Sequence, residues 1–150
     1  MKTCFFIGHR DAPEVVKKEL AEEVERHIVE YGVTDFVVGG YGKFDAMAEN
    51  AVLDAKKRRP EVALHRLLPY YRPDRPVELP EGYDGTLYPP GMERAPKRAA
   101  IVRANHYMVD HSDFLIAYVR HFGNSRDLVE YAEKREVRGL LRVTKLSIPD

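Results

Sequence analysis

The sequence contains almost no cysteine: among its 150 residues there is one, Cys4. A single cysteine excludes an internal disulfide framework and a cysteine-rich zinc site. Four of the six histidines do not replace it, because none of them is spaced with cysteine or paired carboxylates as zinc ligands are. These four are His65, His106, His111 and His121. We therefore expect no metal and no bound cofactor.

The chain also lacks a net charge and a long apolar run. Its 24 basic residues balance 24 acidic ones, whereas proteins that bind nucleic acid through its phosphates usually carry a basic excess. The first apolar run covers only residues 4–7, which is too short for the apolar region of a signal peptide or for a membrane span. These absences argue against nucleic-acid and membrane partners, and they lead us to expect a cytoplasmic protein.

The chain has ordinary globular composition, and its length suits one domain. The predicted strands are 3–7, 35–38, 62–68, 113–119 and 140–146, and the predicted helices are 13–30, 44–58, 97–109 and about 126–135. Asp11 and Glu14 have capping-box spacing ahead of the first helix. This alternation predicts a Rossmann-like, three-layer α/β/α fold with a mostly parallel sheet of about five strands.

Residues 69–96 differ from the rest of the chain. They hold seven of the ten prolines and four of the nine tyrosines, and so many prolines disfavour both helix and strand. A long loop within a compact domain is usually functional or mobile. We therefore interpret this segment as a flap over a site, and a surface excursion packed by its own tyrosines fits equally well.

Three polar, glycine-containing loops follow predicted strands: residues 8–10, 39–45 and 122–127. In parallel α/β sheets, ligands bind beyond the carboxyl ends of the strands, where successive connections diverge. The three loops are therefore expected to converge on one binding site.

The loop 39–45 reads Gly39-Gly40-Tyr41-Gly42, with Asp45 three residues later, and it joins a strand to a helix. Glycines let the backbone approach a ligand, and the helix N-terminus presents N–H groups to a phosphate. Asp45 can cap the helix or accept from a sugar hydroxyl. This pattern predicts a phosphate-binding loop, and the alternative is a tight turn without a ligand.

The other two loops add further candidates. Gly8-His9-Arg10 supplies two side chains that can donate to phosphate; the alternative is a histidine that caps the sheet edge and an arginine paired with a local acid. Arg103 and Asn105 lie late in a helix that leads to the fourth strand. Residues 123–125 then form a second N-terminal cradle: Gly123 and Asn124, followed by Ser125 as the cap of the next helix.

Together, four segments resemble the SLOG superfamily, which unites the SMF/DprA and Lonely Guy proteins, and within it the YpsA-like branch. The segments are 6–10, 39–45, 103–110, and 113–117 together with 123–125 and 131–132. The resemblance spans most of the chain apart from 69–96 and the last strand. It implies a Rossmann-like sheet that binds a nucleotide or a nucleotide-derived ligand across these loops.

Lonely Guy enzymes hydrolyse the N-glycosidic bond of nucleoside 5′-monophosphates with a P-G-G-x-G-T-x-E-E loop and a helix arginine. In this chain Ser125 takes the place of the threonine, Asp127 falls at the first glutamate, and the second is Leu128. The resemblance makes Asp127 and Arg103 the candidate catalytic pair, but Arg103 is displaced by one position, about 100° around a helix.

Three functions follow as hypotheses. The first is binding or sensing of a nucleotide or an NAD-derived ligand such as ADP-ribose, by a chain that we expect to be a homo-oligomer. The second is phosphoribohydrolase activity of the Lonely Guy type. The third is single-stranded DNA binding, which the balanced charge disfavours. The departures at Leu128 and Arg103 favour binding over hydrolysis.

Overall fold

The computed structural model of the protein describes residues 1–147 as an α/β domain. The strands are β1 (Thr3–Gly8), β2 (Asp35–Val38), β3 (Ala63–Leu67), β4 (Gly85–Leu87), β5 (Phe114–Tyr118) and β6 (Arg142–Lys145). The helices are α1 (Val16–Val29), α2 (Lys43–Arg58), α3 (Lys97–Asp110) and α4 (Asn124–Val137), with a short 3₁₀ helix at Met92–Arg94.

The sheet is entirely parallel, in the order β4-β3-β2-β1-β5-β6. The chain builds outward from β1 to β4 and then returns to place β5 on the other side of β1. The order of the strands therefore reverses between β1 and β5, which is where open α/β sheets bind ligands. The Rossmann-like fold is confirmed, with six described strands where about five were expected.

Alternating side chains of the central strands build two separate cores. In β1, Cys4 and Phe6 enter a core with the buried faces of α1 and α2. Phe5 and Ile7 point to the opposite face and pack with residues of α3 and α4. This period-two pattern, continued by the buried residues of β5, gives the three layers.

Residues 69–96 are more ordered than the sequence suggests. The backbone N–H of Leu68 donates to the carbonyl of Leu87, which extends the pairing of β3 with β4. Asp84 anchors the approach to β4, because its carboxylate accepts from the backbone N–H of Leu64 and from the amine of Lys56. Met92 is buried in the core under α3. The expectation of a segment without strand or helix was therefore wrong for its second half.

The start of α1 also differs from the prediction. The helix begins at Val16, and its N-cap position makes no side-chain hydrogen bond, so the capping box of Asp11 and Glu14 was wrong. Two turns precede the helix instead: the N–H of Ala12 donates to the carbonyl of His9, and Val16 donates to Pro13. Within residues 1–147, no helix has the length and apolar character that crossing a bilayer requires.

Candidate functional site

A cleft of about 130 Å³ opens at the carboxyl end of β1. It lies beside the point where the strand order reverses, between the loop after β2 and the start of α4. The aromatic and aliphatic side chains of β1 form part of its lining, with Ile101, Val102 and Leu128. Residues from all three predicted loops and from α3 line it as well: Gly8, Arg10, Gly39, Tyr41, Asp45, Asn105, Asn124 and Ser125.

In the β2–α2 loop (residues 39–42), two backbone N–H groups are already engaged. The Asp45 carboxylate accepts from the N–H of Tyr41 at 2.9 Å and also from that of Gly40. The N–H of Lys43, the first residue of α2, donates to the carbonyl of Arg10 at 2.9 Å. A phosphate at this loop would have to displace a carboxylate. The prediction of a phosphate-binding loop at residues 39–42 therefore stays a prediction, and part of the loop's donor set is already bonded to the following helix.

Glycine is required in this loop because the backbone is crowded. Gly40 and Gly42 have φ angles of +86° and +97°, which other residues rarely adopt. A Cβ on Gly42 would lie 2.6 Å from the Cα of Arg10, and one on Gly40 would lie 2.5 Å from a guanidinium nitrogen of Arg66. These glycines let the chain fold against two arginines.

Asp45 presents an unusual carboxyl group to the cleft. Burial raises its pKa from 3.8 to about 6, against the opposing effects of the N–H donors and of the Arg66 and Arg10 charges. The group therefore changes charge near neutral pH. As an acceptor at the cleft wall, it suits a hydroxyl group of a ligand better than a phosphate.

His9 is absent from the lining of the cleft, although its neighbours Gly8 and Arg10 both contribute to it. Its side chain is only 6% exposed, and its Nε2 accepts from the backbone N–H groups of Arg120 at 2.8 Å and His121 at 3.3 Å. Its ring stacks on that of His121, with centroids 3.7 Å apart. Burial, then the His121 charge, lowers the pKa of His9, while Asp11 opposes them. The sequence predicted a phosphate donor, whereas in the structure His9 accepts hydrogen bonds from the loop after β5 and holds it.

The β5–α4 loop (residues 119–123) has open space around its glycine. Gly123 has a φ of +145°, and a Cβ there would meet nothing within 4 Å. Gly123 is the N-cap, and α4 begins at Asn124, about two residues earlier than predicted. Ser125 is not the cap: it lies in the first turn, and its hydroxyl contacts the carbonyl of Gly8 at 3.5 Å. The first N–H groups of a helix have no partner within it, so this N-terminus can receive an anion.

The two residues named as a catalytic pair lie apart from this cleft. Asn105 lines it together with Ile101, one helical turn earlier, whereas Arg103 is on another face of α3 and is exposed. Asp127 is exposed on α4 and is also outside the described cleft lining. The one-position displacement of Arg103 thus matters for the site: Asn105 lines the cleft, whereas Arg103 and Asp127 lie outside its lining.

A charged cluster that the sequence analysis did not identify supports the β2–α2 loop. Arg66 donates to Glu49 at 2.7 Å and to the hydroxyl of Tyr83 at 3.2 Å, and Tyr83 donates to the same carboxylate. Burial and the bond to Glu49 raise the pKa of Tyr83. The signal in the sequence was an arginine inside an apolar strand. Its partners, 17 residues away on either side, could not be assigned without the fold.

The described residues contain no group of three or more histidine, cysteine, aspartate or glutamate side chains placed to bind a metal ion. In comparisons with known proteins, no family model matches the chain, and no curated protein matches it.

Proposed function

We propose that this protein binds a nucleotide through its 5′-phosphate and its sugar. The observation that supports this most directly is the opposite chemistry of the two sides of one cleft. The N-terminus of α4 and Arg10 favour an anion, while Asp45 accepts hydrogen bonds. A nucleoside 5′-phosphate offers both complements, a phosphate that accepts and ribose hydroxyls that donate.

In this arrangement the phosphate binds at the start of α4, beside Asn124 and Ser125. The helix dipole and the N–H groups of the first turn stabilise negative charge there. Arg10 reaches the cleft from the end of β1 and can add a charge-assisted hydrogen bond. The β2–α2 loop then contacts the sugar through Asp45, which reverses the role that its glycines suggest.

Binding is a stronger proposal than hydrolysis of the N-glycosidic bond. That reaction needs a carboxylate held against the developing ribosyl cation, and Asp127 lies outside the cleft lining. The resemblance to SLOG proteins remains part of the argument for a nucleotide ligand. The phosphoribohydrolase hypothesis would instead require Asp127 and Arg103 to reach the same ligand.

Isothermal titration calorimetry with the four common ribonucleoside 5′-monophosphates and the matching nucleosides tests the proposal. Arg10→Ala should weaken monophosphate binding by about 1.5–3 kcal/mol, the range for a charged hydrogen bond, and nucleoside binding little. Arg72→Ala is a matched control, since Arg72 is exposed and pairs with Asp74. Absence of monophosphate binding to the wild type, or equal losses for both ligand classes in Arg10→Ala, would refute the proposal.

A further inference from the structure

The cleft at β1 is too small to enclose a whole nucleotide. Pockets that bury a small molecule usually measure about 300–1,000 Å³, and this cleft measures about 130 Å³. If its polar groups bind the phosphate and the sugar, the base must lie at the rim. The chemistry of the rim therefore bears on which phosphorylated compounds are bound.

One rim of the cleft continues into a smaller, apolar recess. The recess shares Gly39, Tyr41, Ile101 and Asn105 with the cleft and extends past them to Leu67, Pro69 and Ala104. Tyr41 therefore stands between the polar cleft and this apolar extension. A ligand that leaves the cleft on this side meets Tyr41 first, because Leu67 and Ala104 behind it are buried.

Tyr70 extends this surface outward from Tyr41. The Tyr70 hydroxyl interacts with Tyr41, and this interaction, after burial, raises the pKa of Tyr41. The Tyr70 ring is 38% exposed, and the amine of Lys97 lies 5.3 Å from its centroid. Aromatic surface left open at the edge of a cleft is typical of a binding site.

We infer that Tyr41 and Tyr70 bind the aromatic base of the nucleotide, so that the site selects base-bearing nucleotides over sugar phosphates. The inference rests on the proposed function, because the phosphate and sugar must first occupy the cleft. Every base has a π-face, so stacking on tyrosine tolerates different bases.

The same segment provides a matched control. Tyr71 follows Tyr70 directly and is more exposed, at 56%, but its ring packs near that of Tyr88, with centroids 6.3 Å apart. Tyr71→Ala removes an aromatic ring from the same segment without touching the Tyr41–Tyr70 pair. Tyr70→Phe keeps the ring at the rim and removes only its hydroxyl.

Calorimetry with ribose 5-phosphate and the four ribonucleoside 5′-monophosphates tests the inference. We expect the wild type to bind the monophosphates at least about 5-fold more tightly than ribose 5-phosphate, since stacking contributes about 1–3 kcal/mol per base. Tyr70→Ala should remove most of this preference without changing the affinity for ribose 5-phosphate. Tyr70→Phe and Tyr71→Ala should keep it.

Two results would overturn the inference while leaving the proposed function intact. One is equal affinity of the wild type for ribose 5-phosphate and all four monophosphates. The other is an equal loss for both ligand classes in Tyr70→Ala, with circular dichroism showing the variant folded. Failure of the wild type to bind any of these five compounds would instead refute the proposed function itself, and the inference with it.

Discussion

The β2–α2 loop and the β5–α4 loop both join a parallel strand to a helix through glycine, yet they differ in how they are held. The first is packed on its own neighbours: its glycines contact Arg10 and Arg66, and Asp45 accepts from two of its N–H groups. The second has open space around Gly123 and is held by His9. A glycine-rich strand-to-helix turn therefore does not by itself mark an anion site. What matters is whether its donors remain available.

The largest loss of stability is expected when a side chain is added at a glycine of the β2–α2 loop. Gly42→Ala combines a positive φ with a clash against the backbone of Arg10, so it should lower the free energy of unfolding by more than about 3 kcal/mol. Gly91→Ala is the control, since Gly91 also has a positive φ but an added Cβ would meet nothing within 4 Å. It should lose only about 1–2 kcal/mol. Urea denaturation measures both, and equal losses would show that the loop is not packed as described.

The next effect tests the support that His9 gives to the β5–α4 loop. His9→Ala removes the buried ring nitrogen to which the amides of Arg120 and His121 donate, and it should destabilise the protein by about 2–3 kcal/mol. His9→Gln, which can still accept, should recover part of this loss. In NMR spectra the amide resonances of residues 120–123 should shift in His9→Ala, while those of residues 39–42 stay in place. Shifts of equal size in both loops would contradict the expectation that His9 holds the β5–α4 loop and leaves the β2–α2 loop unaffected.

His9 should also make the stability of the protein depend on pH. The folded-state pKa of His9 is lowered from its ordinary value of 6.5, so the unfolded chain takes up the proton first as the pH falls. Stability from His9 is fully present above pH 6.5 and declines below it. The pKa of His27, buried among aromatic rings, is also lowered, so His9→Gln should reduce this slope without abolishing it. Denaturation midpoints measured between pH 5 and 8 give the comparison; an unchanged slope would count against the role of His9.

A smaller effect of opposite sign is expected in the β2–α2 loop. The pKa of Asp45 is raised to about 6 in the folded protein, so its contribution to stability falls as the pH rises from about 4 to 6. Asp45→Asn, which keeps an acceptor oxygen, should therefore be more stable than the wild type at pH 7 by about 1–2 kcal/mol and nearly equal at pH 4. Thermal unfolding at the two pH values measures this. A variant less stable at pH 7 would mean that the charged carboxylate holds the loop.

The smallest effect concerns Asp127 at the start of α4. Because its side chain is exposed and outside the cleft lining, Asp127→Asn should change nucleotide affinity by less than about twofold. Incubation of nucleoside monophosphates with the wild type should release little or no free base. Chromatography of the products tests the second point. Robust base release that is lost in Asp127→Asn and in Arg103→Ala would establish the phosphoribohydrolase hypothesis in place of simple binding.

The sequence predicted the α/β/α layers of the fold well because apolar residues recur along each strand and helix with the period of that element. Strand β4 escaped prediction because three residues between proline-rich stretches show no period, and they pair only because β3 provides an edge. The sequence placed three loops at one edge of the sheet, and residues of all three line the cleft. His9 accepts from the N–H of Arg120, 111 residues later, and Asp45 accepts from the N–H of Tyr41, 4 residues earlier. Neither pairing could be assigned from the sequence, because each depends on which donors the fold brings within reach.

The position of β1 in the sheet has a consequence for how the chain folds. The first strand pairs with β2 on one side and with β5 on the other, and the N–H of Thr3 bonds to the carboxylate of Asp113, 110 residues later. At synthesis rates of about 5–20 residues per second, β1 waits roughly 5–20 s for that partner. Until then the central strand of the sheet has an open edge, which can template pairing with another chain. A chain truncated before residue 114 is therefore expected to aggregate, because a buried, largely apolar strand is left half paired.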